Sequence, residues 1–399
     1  MRRSLRFAVL VAIGLSITPL LSGCWDRLEI EERGTILGIA IDPLEGQPVQ
    51  NITGPAARGV GYKITAQIAI PGRIPLGPTS GGGGMTERPV WILSATGKTI
   101  DDAMSRLQED LADQIFIGQM RVIIVNEKIA RTTGMHALQD YFRRNAETRR
   151  LIWMMISHGD AEEVLQASPK LERVPTLYLV GTMEHAVNLG KIPNVFLGNY
   201  WSTLASFGRD PVLPVISKVK DRINLDGLAL FRGEKMVGVL NSLQVAPYME
   251  LTNQKQAGYG FSVPLPDEPN ESASLKGTIR HTIIKLSMRH QKPFFDIHVI
   301  INGNIQELTS TKHQLRGSLM NKLSVASAAI LQEKQVKFLK RMKKLGIDPI
   351  GFGEYVRAQY PDYWRSIATR DRWDQVFAKD VSIHLHNTFT VVRSGLAPH

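Results

Sequence analysis

The feature that most constrains this chain is its cysteine count: one, at position 24 of 399 residues. A mature domain with no other thiol can contain no internal disulfide, no structural Cys-zinc centre and no cysteine nucleophile. A chain of this length must therefore be held by an apolar core, and 43% apolar with 21% charged residues is a globular balance. The setting of the cysteine matters equally. Arg2, Arg3 and Arg6 form a basic start, and Phe7 to Leu21 form an apolar stretch with Pro19 near its end. Leu21-Ser22-Gly23-Cys24 closes the segment. Basic, then apolar, then small is the order of an export signal. The apolar run falls short of the ~20 residues that cross a bilayer comfortably.

Leu-Ser-Gly-Cys looks like the lipobox of exported bacterial lipoproteins, which places S-diacylglycerol and an N-acyl chain on Cys24 after cleavage before it. Two or three acyl chains, at ~0.8 kcal/mol per buried CH₂, make a lasting anchor where one chain does not. The formal charge is +11, with three of the positive charges on the signal arginines. A mildly basic surface gains some attraction to anionic headgroups, screened within roughly 8 Å at physiological salt. Export and the lack of a recognisable binding motif argue against nucleic acid as partner.

Three segments organise the chain: 1–23 a signal peptide, 24–207 an N-terminal α+β region with a helical and sheet subdivision, and 208–399 a C-terminal α+β domain. In the first region, Thr35–Ile41 reads as a buried strand closed by Asp42-Pro43, and Gly61–Ile70 as a second, with Tyr62, Ile64, Ala66, Ile68 and Ile70 on one face. The Gly/Pro-rich run 71–89 predicts a mobile surface loop. Val90–Ser94 is strand-like. Thr99 caps a helix whose buried stripe is Ile100, Ala103, Met104, Leu107 and Leu111, with Asp101 and Asp102 at its positive end. Strands over 120–125 and 151–156 alternate with helices over 134–144, 176–189 and 195–207. Past the turn-rich 208–214, hairpin signals take over: 228–231 with 236–240, then strands over 276–288 and 294–301. A long helix over 314–345 ends in Lys334, Lys337, Lys340, Lys343 and Lys344, with Gly346 as its stop. A helix over 348–360 and a last strand over 381–392 complete the pattern.

No catalytic constellation emerges. Ala95-Thr-Gly-Lys-Thr99 resembles the end of a phosphate loop, but the earlier glycine it needs would stand where Ile92 does. There is no His-Glu-x-x-His, Gly-x-Ser-x-Gly or EF-hand sequence. His384 and His386 share a face of the last strand, yet two ligands with no neighbouring carboxylate or cysteine make a poor metal site. Tyr200, Trp201 and Phe207 read as helix packing. The sequence thus assigns no catalytic residue, cofactor or metal.

Several stretches together resemble the Ger(x)C family of spore germination lipoproteins, the C subunits of germinant receptors. They are Gly23-Cys-Trp-Asp-Arg-Leu-Glu-Ile30, Leu37-Gly-Ile-Ala-Ile-Asp42, Val174-Pro-Thr-Leu-Tyr-Leu179, Asp210-Pro-Val-Leu-Pro214, Gly227-Leu-Ala-Leu-Phe231 and Lys235-Met-Val-Gly-Val-Leu240. The carboxyl end adds Asp348-Pro-Ile-Gly-Phe-Gly-Glu-Tyr355, Tyr360-Pro-Asp-Tyr-Trp364 and Val391-Val-Arg-Ser-Gly395. Within 71–89 the likeness fails. The resemblance implies an α+β fold of about three sheet-centred domains with packed helices and no enzymatic activity. It implies a complex with membrane-embedded A and B subunits on the outer face of the spore inner membrane, in which the B subunit and not this chain takes the nutrient. The competing expectation is a solute-binding lipoprotein of a transporter, with two similar α/β lobes around a cleft. A surface hydrolase would need a nucleophile or metal set that the sequence does not display.

Overall fold

Every residue of Val122–Asn126 and of Trp153–Ser157 is buried. Strands covered on both faces read as continuous apolar runs of this kind, and these two lie at the middle of the larger sheet. The computed structural model describes residues 32–44, 61–70, 89–167, 172–253, 258, 260–265, 268–310, 317–367 and 369–393. The signal segment, Cys24 and, of the loop expected over 71–89, residues 71–88 lie outside them.

In chain order the first part contains β1 (Arg33–Leu44), β2 (Gly61–Ala69), β3 (Val90–Gly97), α1 (Ile100–Glu109), β4 (Gln114–Phe116) and β5 (Val122–Asn126). It continues through α2 (Glu127–Arg131), α3 (His136–Arg144), β6 (Trp153–Ser157), α4 (Ala161–Leu165), α5 (Pro175–Asn188), α6 (Leu197–Ser206), β7 (Val212–Val219), β8 (Arg222–Arg232) and β9 (Lys235–Asn241). These strands form one nine-stranded sheet in the order β3-β2-β1-β5-β6-β7-β8-β9, with β4 beside the start of β1. Its centre, β1-β5-β6-β7, is parallel; the two flanks are antiparallel. The division expected at 207/208 does not coincide with a break in this sheet. β7 begins inside the turn-rich 208–214 and pairs with β6 on one side and β8 on the other, so the β8–β9 hairpin extends the first sheet.

After α7 (Val245–Leu251) come β10 (Gly260–Leu265), β11 (Glu268–Arg289), β12 (Lys292–Leu308), α8 (Gly317–Leu345), α9 (Phe352–Gln359), α10 (Pro361–Ser366), α11 (Arg370–Lys379) and β13 (Ser382–Arg393). The second sheet runs β10-β11-β12-β13, and only its last pair is parallel. One face receives α8, which buries Leu319, Leu323, Ser327, Leu331, Gln335, Phe338, Leu339 and Met342, one stripe of a helix stepping mostly three or four residues at a time. The opposite face is open, with Ile279, Ile283 and Ile300 exposed. Gly346 takes a left-handed φ of 64°, and Ile347 N–H closes back on the Met342 carbonyl, which stops α8.

Asp42, expected only to close a strand, has a longer reach. Pairing of β1 with β5 stops at Ile41, while pairing with β2 runs on to Leu44. The Asp42 carboxylate accepts from Ala161 N at 2.8 Å, Glu162 N at 2.9 Å and Asn126 Nδ2 at 2.8 Å, capping α4 from across the sheet. Burial raises its pKa despite those three bonds. Asp42→Ala strands these donors in a buried site and should lower stability by about 2–3 kcal/mol, read from the urea midpoint.

Candidate functional site

A group of buried polar side chains lies where the two sheets meet, and the family-like stretches supply two of them, Asp210 and Asp348. Asp348 follows the stop of α8 and is 0% exposed. Its Oδ1 accepts from Gly351 N at 2.8 Å; its Oδ2 accepts from Gly353 N at 2.9 Å and Trp373 Nε1 at 3.1 Å. Asp210, at the entry to β7, completes a reciprocal pair: Asp348 N donates to Asp210 Oδ2 and Asp210 N to the Asp348 carbonyl, each at 2.8 Å. Burial pushes the Asp348 carboxyl up to about 7. The N–H bonds oppose that rise, and the charge of Asp210 adds to it.

Arg209 ties the same junction to α7, donating from Nε to the Pro349 carbonyl at 3.0 Å and from Nη2 to Tyr248 Oη at 3.1 Å. At the β8–β9 turn, Arg232 Nε donates to the buried Asp374 carboxylate on α11 at 2.9 Å. Aromatic rings continue the contact into the second sheet. Phe295 of β12 meets Phe352 at 4.6 Å, Phe352 meets Phe377 at 5.9 Å, and Trp364 packs on Trp373 at 5.6 Å.

A second junction sits under α8. Gln335 donates to Glu250 Oε2 at 2.8 Å and exchanges hydrogen bonds with Asn387 of β13, while Thr282 of β11 donates to the Glu250 carbonyl at 2.6 Å. Burial raises the Glu250 pKa. Arg341 of α8 donates to the Val239 carbonyl on the β9 edge and to Gln244, each at 2.8 Å. These groups bond to one another and to the backbone. Their chemistry is that of a clamp.

The residues singled out by sequence fall elsewhere. Cys24 lies outside the described residues. Tyr200 is buried, Trp201 is half-buried under the Arg143 guanidinium 5.5 Å from its ring, and Phe207 is exposed. The lysine cluster divides: Lys334 lies over the Phe261 ring, Lys337 pairs with Glu333 one turn back, and Lys343 donates to the Val381 carbonyl. His384 and His386 do share a face of β13, but they have company. β12 carries Asp296 and His298 alongside them, the neighbouring carboxylate that the local sequence does not show. Burial raises the Asp296 carboxyl, but hydrogen bonds from His298 and His386 and the charge of those rings together outweigh it and hold the pKa below the usual range.

The class these features define is an α+β protein of two sheets locked by buried polar clamps. Two family models match it in succession: "Spore germination protein N-terminal domain" over residues 26–218 and "Spore germination B3/ GerAC like, C-terminal" over 226–395. The chain belongs to the Ger(x)C family of spore germination proteins. Spore germination protein GerQC of Bacillus cereus is 29% identical over 84% of this chain and 90% of its own. Spore germination protein KC of Bacillus subtilis (strain 168) is 23% identical over 99% and 97%. The crystal structure of the GerBC protein shares the fold, with a TM-score of 0.56 and 17% identity over 89% of this chain and 97% of that one. The junction between the family models, 218–226, falls within the β7–β8 hairpin of the first sheet.

Proposed function

We propose that this chain is the C subunit of a germinant receptor, tethered by lipid on Cys24 to the outer face of the spore inner membrane. It assembles there with membrane-embedded A and B subunits and is needed for nutrient-triggered germination. The observation that carries this reading is the match to both halves of a spore germination family, in one order, over 26–395. Among the described residues no helix is long and apolar enough to cross a membrane, so the reading assigns attachment to Cys24 and to contacts with the partners. A tether of this kind raises the effective concentration of the domain over its partners without any new contact. The clamped polar groups give the subunit a stiff, non-catalytic body able to favour one state of the assembly over another. A transporter's solute receptor would need two similar lobes around a hinge, and a nine-stranded mixed sheet beside a four-stranded one does not supply them.

Detergent extracts of dormant-spore membranes provide the test. Capture of this chain should bring the A and B subunits with it, and Cys24→Ala should lower its membrane-bound fraction roughly tenfold, because the acyl chains hold it there. Capture without A and B would remove the assembly; an unlipidated Cys24 with wild-type fractionation would remove the tether.

A further inference from the structure

The open face of the second sheet gathers three imidazoles around one carboxylate. The parallel register pairs Asp296 with His384 and His298 with His386, so alternation sends all four side chains to the same side. His386 Nε2 lies 3.0 Å from Asp296 Oδ1, His298 Nε2 lies 3.3 Å from Asp296 Oδ2, and His384 Nδ1 lies 3.6 Å from Oδ1. The ligand atoms of Asp296, His298 and His386 all fall within 4.8 Å of one another. Nitrogen and oxygen ligands at ~2.0–2.1 Å from a tetrahedral zinc are separated by roughly 3.3–3.4 Å; the contacts of His386 with Asp296 Oδ1 and of His298 with Asp296 Oδ2, 3.0 and 3.3 Å, lie close to that edge.

We propose that this face binds one divalent transition-metal ion of the zinc class, ligated by Asp296, His298 and His386, with His384 or water in the fourth position. The donor set is imidazole-rich, with a single carboxylate. Magnesium and calcium ask for a shell of oxygens, and iron–sulfur clusters ask for thiolates, so neither fits. The His298 and His386 rings stack at 4.4 Å with 13° between their planes. The charged and titratable neighbours on this face include Lys285 of β11, opposite Asp296, His281, opposite Ile300, Arg289, whose guanidinium lies over the Phe294 ring, and Lys292, which pairs with Asp380. The metal would fasten β13, the last strand, to β12 at two successive register positions. His386 lies 88 and 90 residues beyond His298 and Asp296 in sequence and on the adjacent strand, so the pairing of β12 with β13 creates the site.

The test uses the tag-free full-length chain in detergent, stripped with chelator and titrated with Zn²⁺ in excess Mg²⁺. One equivalent should bind and raise the melting temperature. His386→Ala and Asp296→Asn should each weaken binding at least ~10-fold, while His281→Ala leaves it unchanged. Co²⁺ on the wild-type chain, which needs no variant, should show the visible bands of a four-coordinate site. Zinc binding that is absent, or equally tight in His386→Ala and Asp296→Asn, would overturn the proposal, as would a Co²⁺ spectrum like that of the aqueous ion.

Discussion

Asp348→Ala is expected to remove about 3–5 kcal/mol of stability, the largest loss of any single polar truncation in the described structure. The substitution leaves Gly351 N, Gly353 N and Trp373 Nε1 without an acceptor in a site from which water is excluded. Each orphaned buried donor costs about 1–3 kcal/mol, and the losses overlap because one loop carries two of the three. The urea midpoint measures it. A pH dependence comes with the same residue. Its folded pKa of about 7 lies above the ordinary 3.8, so the native state holds a proton that the unfolded chain has released. That contribution is full below about pH 4 and disappears as pH rises through 7, at up to ~1.4 kcal/mol per unit. The stability difference between wild type and Asp348→Asn should therefore shrink from pH 4 to pH 7. A difference that widens over this range would mean the carboxylate is ionised in the fold.

Gly353→Ala should be nearly as damaging, at about 3 kcal/mol, for a steric reason. An added Cβ would meet Gly208 Cα at 2.6 Å, Gly208 O at 2.7 Å and Trp373 Cε2 at 2.7 Å. Two of those atoms are backbone and the third is a buried ring, so nothing nearby can swing away. Glycine at 208 and at 353 lets the entry to β7 touch the loop after α8, and the Asp210–Asp348 exchange depends on that approach. Gly181, inside α5 with open space around its Cα, is the control. Gly181→Ala should raise stability by about 0.5–1 kcal/mol, the usual gain from replacing glycine in a helix. Opposite signs from one chemical change would separate packing at the junction from a general effect of alanine.

Local pattern made most elements legible. Alternation marked β2, whose Tyr62, Ile64, Ala66 and Ile68 are all buried. Thr99 does cap α1, accepting from Asp102 N at 3.0 Å, and Ile100, Ala103, Met104 and Leu107 form its buried stripe. Turn chemistry misled at 208–214, because the same prolines and glycines that end a domain can also lead into a central strand. The clamps and the histidine face were out of reach for a different reason. Asp210 and Asp348 stand 138 residues apart, and Asp296 and His386 stand 90 apart. Strand order and packing bring them together, and neither is encoded within one turn or one strand. A sharper reading had one signal available. Both junction aspartates precede proline inside stretches that resemble the family, and the residue before proline is held extended, which suits an acceptor at the mouth of a turn.

The most direct measurement is nutrient-triggered release of dipicolinic acid from spores of a host carrying the matching A and B subunits but lacking this chain. Loss or severe slowing of the response to the cognate nutrient, restored by the wild-type gene, is the predicted result. An unchanged response in the deletion strain would contradict the account.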